Sequence, residues 1–110
     1  MLGALVVPTM NNTRWEELRR AMYALGVLRP MWRTRILDTG HLSSWDGDWY
    51  YHFREGGYED IEWVEIKVTS SEQSEAVLAA LKSLHLPGET TAAGFKIYGH
   101  LPAGQSSEYL

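Results

Sequence analysis

WDGDWYYHFREGGYEDIEWVEI, residues 45–66, holds seven of the chain's thirteen aromatic residues and seven of its fourteen acids. Such density exceeds what packing alone requires. Tyr and Trp combine an apolar body with a polar tip, so crowding them beside carboxylates and turn glycines builds surfaces that grip something. The reading of this stretch also decides the fold. Trp49, Tyr51 and Phe53 alternate with Tyr50, His52 and Arg54, which predicts a strand over Asp48 to Arg54. Ile61 to Val68 predicts another, with Glu55-Gly56-Gly57-Tyr58 as the turn between them.

Upstream, Met31 to Leu37 has the same period of two and predicts a first strand, set off by Pro30. Before it, Thr13-Arg14-Trp15-Glu16 reads as a capping box. Trp15, Leu18, Met22 and Leu25 then form an apolar stripe at helical spacing that Gly26 ends. Glu16 and Arg20 stand at i,i+4 in the favourable order. Downstream, Ser70 or Ser71 opens a second helix with Val77, Ala80, Leu81 and Leu84 as its buried stripe, and Leu86-Pro87-Gly88 stops it. Gly94 to His100 supplies a fourth strand. The order α-β-β-β-α-β predicts an α+β two-layer sandwich, a mainly antiparallel four-stranded sheet with both helices on one face. Its domain spans residues 10–101, between a flexible extension at 1–9 and a loose tail at 102–110. The helix signal directly after Met10 marks the extension as frayed or as the product of an upstream start.

Strand parity assigns the faces. With Trp32, Thr34, Ile36, Trp49, Tyr51, Phe53, Val64, Ile66, Val68, Phe95 and Ile97 toward the helices, the open face collects Arg33, Arg35, Tyr50, His52, Arg54, Trp63, Glu65, Lys67, Lys96, Tyr98 and His100. Cross-strand charged and aromatic pairs are an ordinary way to decorate an exposed face. Trp63 favours function, because a large ring on a polar face implies a partner or a covering loop. Ile61 and Trp63 both fall on the open side by parity, and a bulge would reverse the first half of that strand.

At 110 residues, with 45% hydrophobic content and no cysteine, the chain is one domain with a core and without disulfides or thiolate chemistry. The opening residues lack a basic segment and Pro8 interrupts a short apolar run, so neither a signal peptide nor a membrane span is expected, and the protein reads as cytoplasmic. The net charge of −4 is unevenly spread: residues 1–37 carry six Arg against two Glu, residues 38–110 twelve acids against four Lys or Arg. The acidic balance opposes binding to nucleic acid and favours a basic protein partner.

No catalytic pattern accompanies these features. His41, Asp46, Asp48, His52 and His100 lack the spacing of a metal site, and Asp46-Gly47-Asp48 lacks the later ligands of a calcium loop, so no metal or cofactor is expected. Glu55, Glu59, Asp60, Glu62 and Glu65 offer carboxylates near His52 without singling out a pair. Ser43-Ser44 beside His41 is not a nucleophile elbow.

The run from Asn11-Asn12-Thr13-Arg14-Trp15 through Trp32-Arg33-Thr34-Arg35, Trp45-Asp46-Gly47-Asp48-Trp49, Tyr51-His52-Phe53-Arg54, Gly57-Tyr58 and Ile61-Glu62-Trp63 resembles a family of small bacterial proteins of unknown function, over Met10 to about His100. The resemblance implies no catalytic residues. In size and acidity the chain also resembles immunity proteins of toxin systems, by analogy. The expected function is a protein-binding module, an immunity protein against a basic toxin, with Arg33, Arg35, Asp46, Asp48, Tyr50, His52, Arg54, Trp63, Glu65, Tyr98 and His100 as its binding residues. The alternative is a ligand-binding protein or enzyme taking an anionic small molecule at Arg33, Arg35 and Arg54. A deep pocket over the open face favours the ligand, a flat surface the partner.

Overall fold

The computed structural model describes residues 5–110. It is an α+β fold in the order β1 (Val6–Pro8), α1 (Asn12–Tyr23), β2 (Met31–Ile36), β3 (Ile61–Lys67), α2 (Ser71–Leu84), β4 (Gly88–Thr90), β5 (Gly94–Tyr98) and β6 (His100–Pro102). The main sheet has four antiparallel strands in the order β2-β3-β5-β4, and β1 pairs with β6 in a separate ribbon. The strand expected last in the chain therefore lies against β3.

One sheet face carries Trp32, Val64, Ile66, Phe95 and Ile97 into a single core with Trp15, Leu18 and Met22 of α1 and Val77 and Leu81 of α2. Parity placed all of these sheet residues correctly. The α1 cap differs from the capping box: the helix begins earlier, with the Asn11 side chain accepting from the Arg14 amide at 2.8 Å. Glu16 is thereby released to face Arg19 and Tyr58 rather than Arg20. Ser70 caps α2, and His85 in the left-handed conformation ends it.

The strand expected over Asp48 to Arg54 does not form. Asp48 Oδ1 accepts the amides of Tyr50 and Tyr51 at 2.8 and 3.0 Å, which curls the chain into a turn, and His52–Arg54 continue as a single 3-10 turn. In place of that strand, residues 41–46 run along the free edge of β2. The Trp32 and Asp46 amides and carbonyls bond reciprocally at 2.8 Å, and the Ser43 amide donates to Thr34 at 2.9 Å. This cover removes an exposed edge. A register shift opposite Arg35 and Ile36 pairs Ile36 with Ile61 and Arg35 with Trp63, so Ile61 turns into the core while Trp63 stays on the open face.

The two expected flanks are hydrogen-bonded to the domain. Residues 1–4 of the extension lie outside the described residues, but Val6–Pro8 pair with β6, and the Thr9 hydroxyl donates to the Tyr98 carbonyl. At the other end, the Gly88 amide donates to Glu108 at 2.9 Å and the Leu110 amide to Leu86 at 3.1 Å, while Leu110 packs against the core. Short strands of three residues gave no periodicity to read.

Candidate functional site

The expected site residues separate into a charged rung on the sheet and a turn beside it. On the sheet, Arg33 faces Glu65 across β2 and β3, its Nε and Nη2 donating to Glu65 Oε1 at 3.1 and 2.9 Å. Glu65 is buried, and its other oxygen accepts from the Thr91 hydroxyl at 2.9 Å. Trp45, from the segment covering β2, lies under the Arg33 guanidinium at 4.4 Å and the Lys67 ammonium at 5.4 Å. Arg35 pairs with Glu62 at 3.2 Å. Lys96 stands 4.2 Å over the half-buried Trp63 ring. The Tyr98 hydroxyl donates to Glu89, and burial pushes its pKa up to about 12. His100 is on β6, with Nδ1 donating to the Ile61 carbonyl at 3.0 Å.

The sheet groups thus satisfy one another. Arg33 and Arg35, which have no partner near them in sequence, find Glu65 and Glu62 across the strands. The open face is a network of paired charges with stacked cations.

The turn is built differently. Asp46 Oδ1 accepts the Asp48 amide at 2.8 Å, and its Oδ2 lies 2.7 Å from His52 Nδ1; Asp48 Oδ2 lies 3.7 Å from His52 Nε2. The hydrogen bond and negative charge of Asp46 raise the His52 pKa above its ordinary value. The Tyr51 amide, followed by that of Tyr50, holds the Asp48 carboxyl below the usual carboxylate range. Both aspartates are therefore spent on shaping the turn. Trp49 anchors it from below, buried with its indole N–H on the Pro30 carbonyl at 2.9 Å, and Phe53 packs 4.7 Å from the Trp49 ring.

What this scaffold presents is a pair of rings. Tyr51 is 63% exposed and Tyr50 43%, their centroids 4.6 Å apart, with the Arg54 guanidinium 5.3 Å from Tyr50 and 5.8 Å from Tyr51. Tyr23 at the end of α1 extends the surface, 5.5 Å from Tyr50, and carries Arg29 stacked at 3.9 Å. Tyr51 was expected in the core, and Tyr23 and Arg29 were not singled out. Tyr23 follows the buried Met22 off the apolar stripe of α1, the one sequence signal that it faces outward.

A second feature lies on the other side of Arg54. A groove of about 450 Å³ runs between the first turns of α1 and residues 54–60, lined by Asn12, Glu16, Arg54, Tyr58, Glu59 and Asp60. Two of its lining groups share a network with Arg19: Arg19, buried, donates Nε and Nη2 to Glu16 at 3.0 Å, and the Tyr58 hydroxyl donates to the same carboxylate. Arg19 and Tyr58 hold the Glu16 pKa down at about 2, while burial pushes the Tyr58 pKa above the ordinary tyrosine range. Among the described residues, no group of three or more His, Cys, Asp or Glu side chains converges as a metal site. No helix there is long and apolar enough to cross a membrane.

The chain belongs to a family of unknown function, DUF6678, whose model matches residues 4–104. The match starts ahead of Met10 and takes in β1, so the family unit is wider than the resemblance read from the motifs. No curated protein and no solved structure matches the chain.

Proposed function

We propose that the protein is a protein-binding module whose contact surface is the Tyr50–Tyr51 turn with Tyr23, Arg29 and Arg54 around it. The observation that carries this reading is that two adjacent tyrosines stand in solvent on a turn fixed by Asp48 from one side and by buried Trp49 from the other. Tyr and Arg are, with Trp, the residues enriched at binding hot spots, and a rigid turn loses little entropy when a partner covers it. An immunity protein that occupies the surface of a toxin is the form of this function that the chain's size and composition resemble. The competing reading, an anionic small molecule held by Arg33, Arg35 and Arg54, loses two of its three arginines to Glu65 and Glu62.

The test is site-specific photocrosslinking in the cells that make the protein. A photoreactive residue at position 51 should yield a discrete protein adduct that disappears when Tyr50→Ala is added. The same residue at Glu75, on the exposed side of α2, should not yield it. An adduct from position 75 and none from position 51 would move the contact to the helices.

A further inference from the structure

We propose that the Tyr23–Tyr50–Tyr51 surface takes an acidic segment of its partner, whose carboxylates meet Arg29 and Arg54; this rests on the binding-module reading and gives the partner a chemistry. Of the chain's arginines, Arg14, Arg19, Arg33 and Arg35 each form an ion pair with a carboxylate. Arg20, Arg29 and Arg54 form none among the described residues, and of these three Arg29 and Arg54 are exposed and stacked on this tyrosine surface. A guanidinium uses its face to stack on a ring and keeps N–H groups in its plane, the geometry that a carboxylate accepts. Arg29 spends only its Nε, on the Tyr23 carbonyl at 2.6 Å.

The carboxylates beside the patch, Glu59 and Asp60 of the groove included, form no ion pair with Arg29 or Arg54 among the described residues. Asp46 and Asp48 direct their oxygens at the amides of residues 48, 50 and 51 and at His52. Arg19, whose guanidinium lies 5.9 Å from the Tyr50 ring, is matched by Glu16. The patch therefore presents two guanidinium groups with no carboxylate partner among the described residues, Arg29 from the basic first third of the sequence and Arg54 from the turn, in a chain of net charge −4. A long polyanion is repelled by that net charge, whereas a short segment carrying a few carboxylates and an apolar or aromatic side chain meets only the patch. The aromatic residues of such a segment would stack on Tyr51, the most exposed of the three rings.

The experiment titrates the isotope-labelled full chain at low salt with three probes and follows backbone amide shifts. The probes are a short peptide alternating Glu and Phe, the same peptide with Lys for Glu, and a short oligothymidylate. The Glu–Phe peptide should shift the amides of Tyr50 to Arg54 and of Tyr23 to Arg29. It should bind about fivefold or more tightly than the Lys–Phe peptide, the scale of one exposed ion pair. The double variant Arg29→Gln, Arg54→Gln should remove that preference while its amide spectrum stays folded. Tighter binding of the Lys–Phe peptide at the same amides would overturn the acidic partner and leave the tyrosine turn as the contact. Preferential binding of the oligothymidylate there would overturn it in favour of a single-stranded nucleic acid. Failure of every probe to shift these amides would overturn both the partner chemistry and the contact surface.

Discussion

Asp48 Oδ1 accepts the main-chain amide of Tyr51 at 3.0 Å, and that bond turns the Tyr51 ring out of the core and into solvent. The same oxygen holds the Tyr50 amide, so one carboxylate sets the direction of both rings. It does for this turn what an N-cap residue does for a helix, satisfying amides that have no main-chain partner.

Replacing Asp48 should therefore act on the turn before it acts on the fold. Asp48→Ala is expected to cost about 1 kcal/mol, the usual loss for a capping carboxylate. Asp48→Asn, which keeps an acceptor oxygen, should cost less. Urea denaturation of the two variants checks the order, and equal losses would mean that charge rather than amide capping fixes the turn.

The choice between strand and turn was not legible because Trp49 and Phe53 are four residues apart. That interval is in phase for a period of two and nearly so for a period of 3.6, so two buried aromatics fit either conformation. Only Tyr51 discriminates, and its exposure depends on a side-chain bond from Asp48 that alternation does not encode. The sheet was more legible. Parity puts Arg33, Arg35, Trp63 and Glu65 on one face, as in the structure, but which of them stand opposite each other depends on the register, and the ion pair of Arg35 with Glu62 on the register shift at Arg35. The tyrosine surface was harder still, because it joins the end of α1 to a loop through Tyr23 and Tyr50.

His52 offers a pH readout of the turn. Asp46 raises its pKa in the folded state, so its contribution to stability is fully present below the ordinary value of 6.5 and is lost as pH rises through the raised value. Asp46→Asn should bring the His52 titration midpoint down toward the ordinary value, as followed by NMR of the imidazole. An unmoved midpoint would show that the pair is not formed in solution.

Glu16 carries the opposite sign. Its pKa is lowered from 4.5 to about 2 by Arg19 and Tyr58, so its stabilisation is fully present above 4.5 and is lost as pH falls through about 2. Glu16→Gln should flatten the acid limb of the stability profile between those limits. Tyr58→Phe, which removes one hydrogen bond to the carboxylate, should cost about 1 kcal/mol near neutral pH.

Within the turn, Phe53 and Arg54 should separate cleanly. Phe53 is buried against Trp15, Trp32, Trp49 and Tyr58, so Phe53→Ala is expected to cost about 3–5 kcal/mol. Arg54 is exposed and makes no ion pair among the described residues, so Arg54→Ala should change stability by less than about 0.5 kcal/mol. Thermal or urea denaturation of both variants checks this.

The affinity of the crosslinked partner for Tyr51→Ala, compared with its affinity for Trp63→Ala, tests the account most directly. Tyr51→Ala should weaken binding by roughly 30-fold or more, the scale of a hot-spot residue, with the melting temperature preserved. Trp63, half-buried beneath Lys96 on the charge-paired sheet, should matter by less than about fivefold. The reverse order, with Tyr51→Ala binding normally and Trp63→Ala binding poorly, would contradict the account and place the contact on the open sheet face.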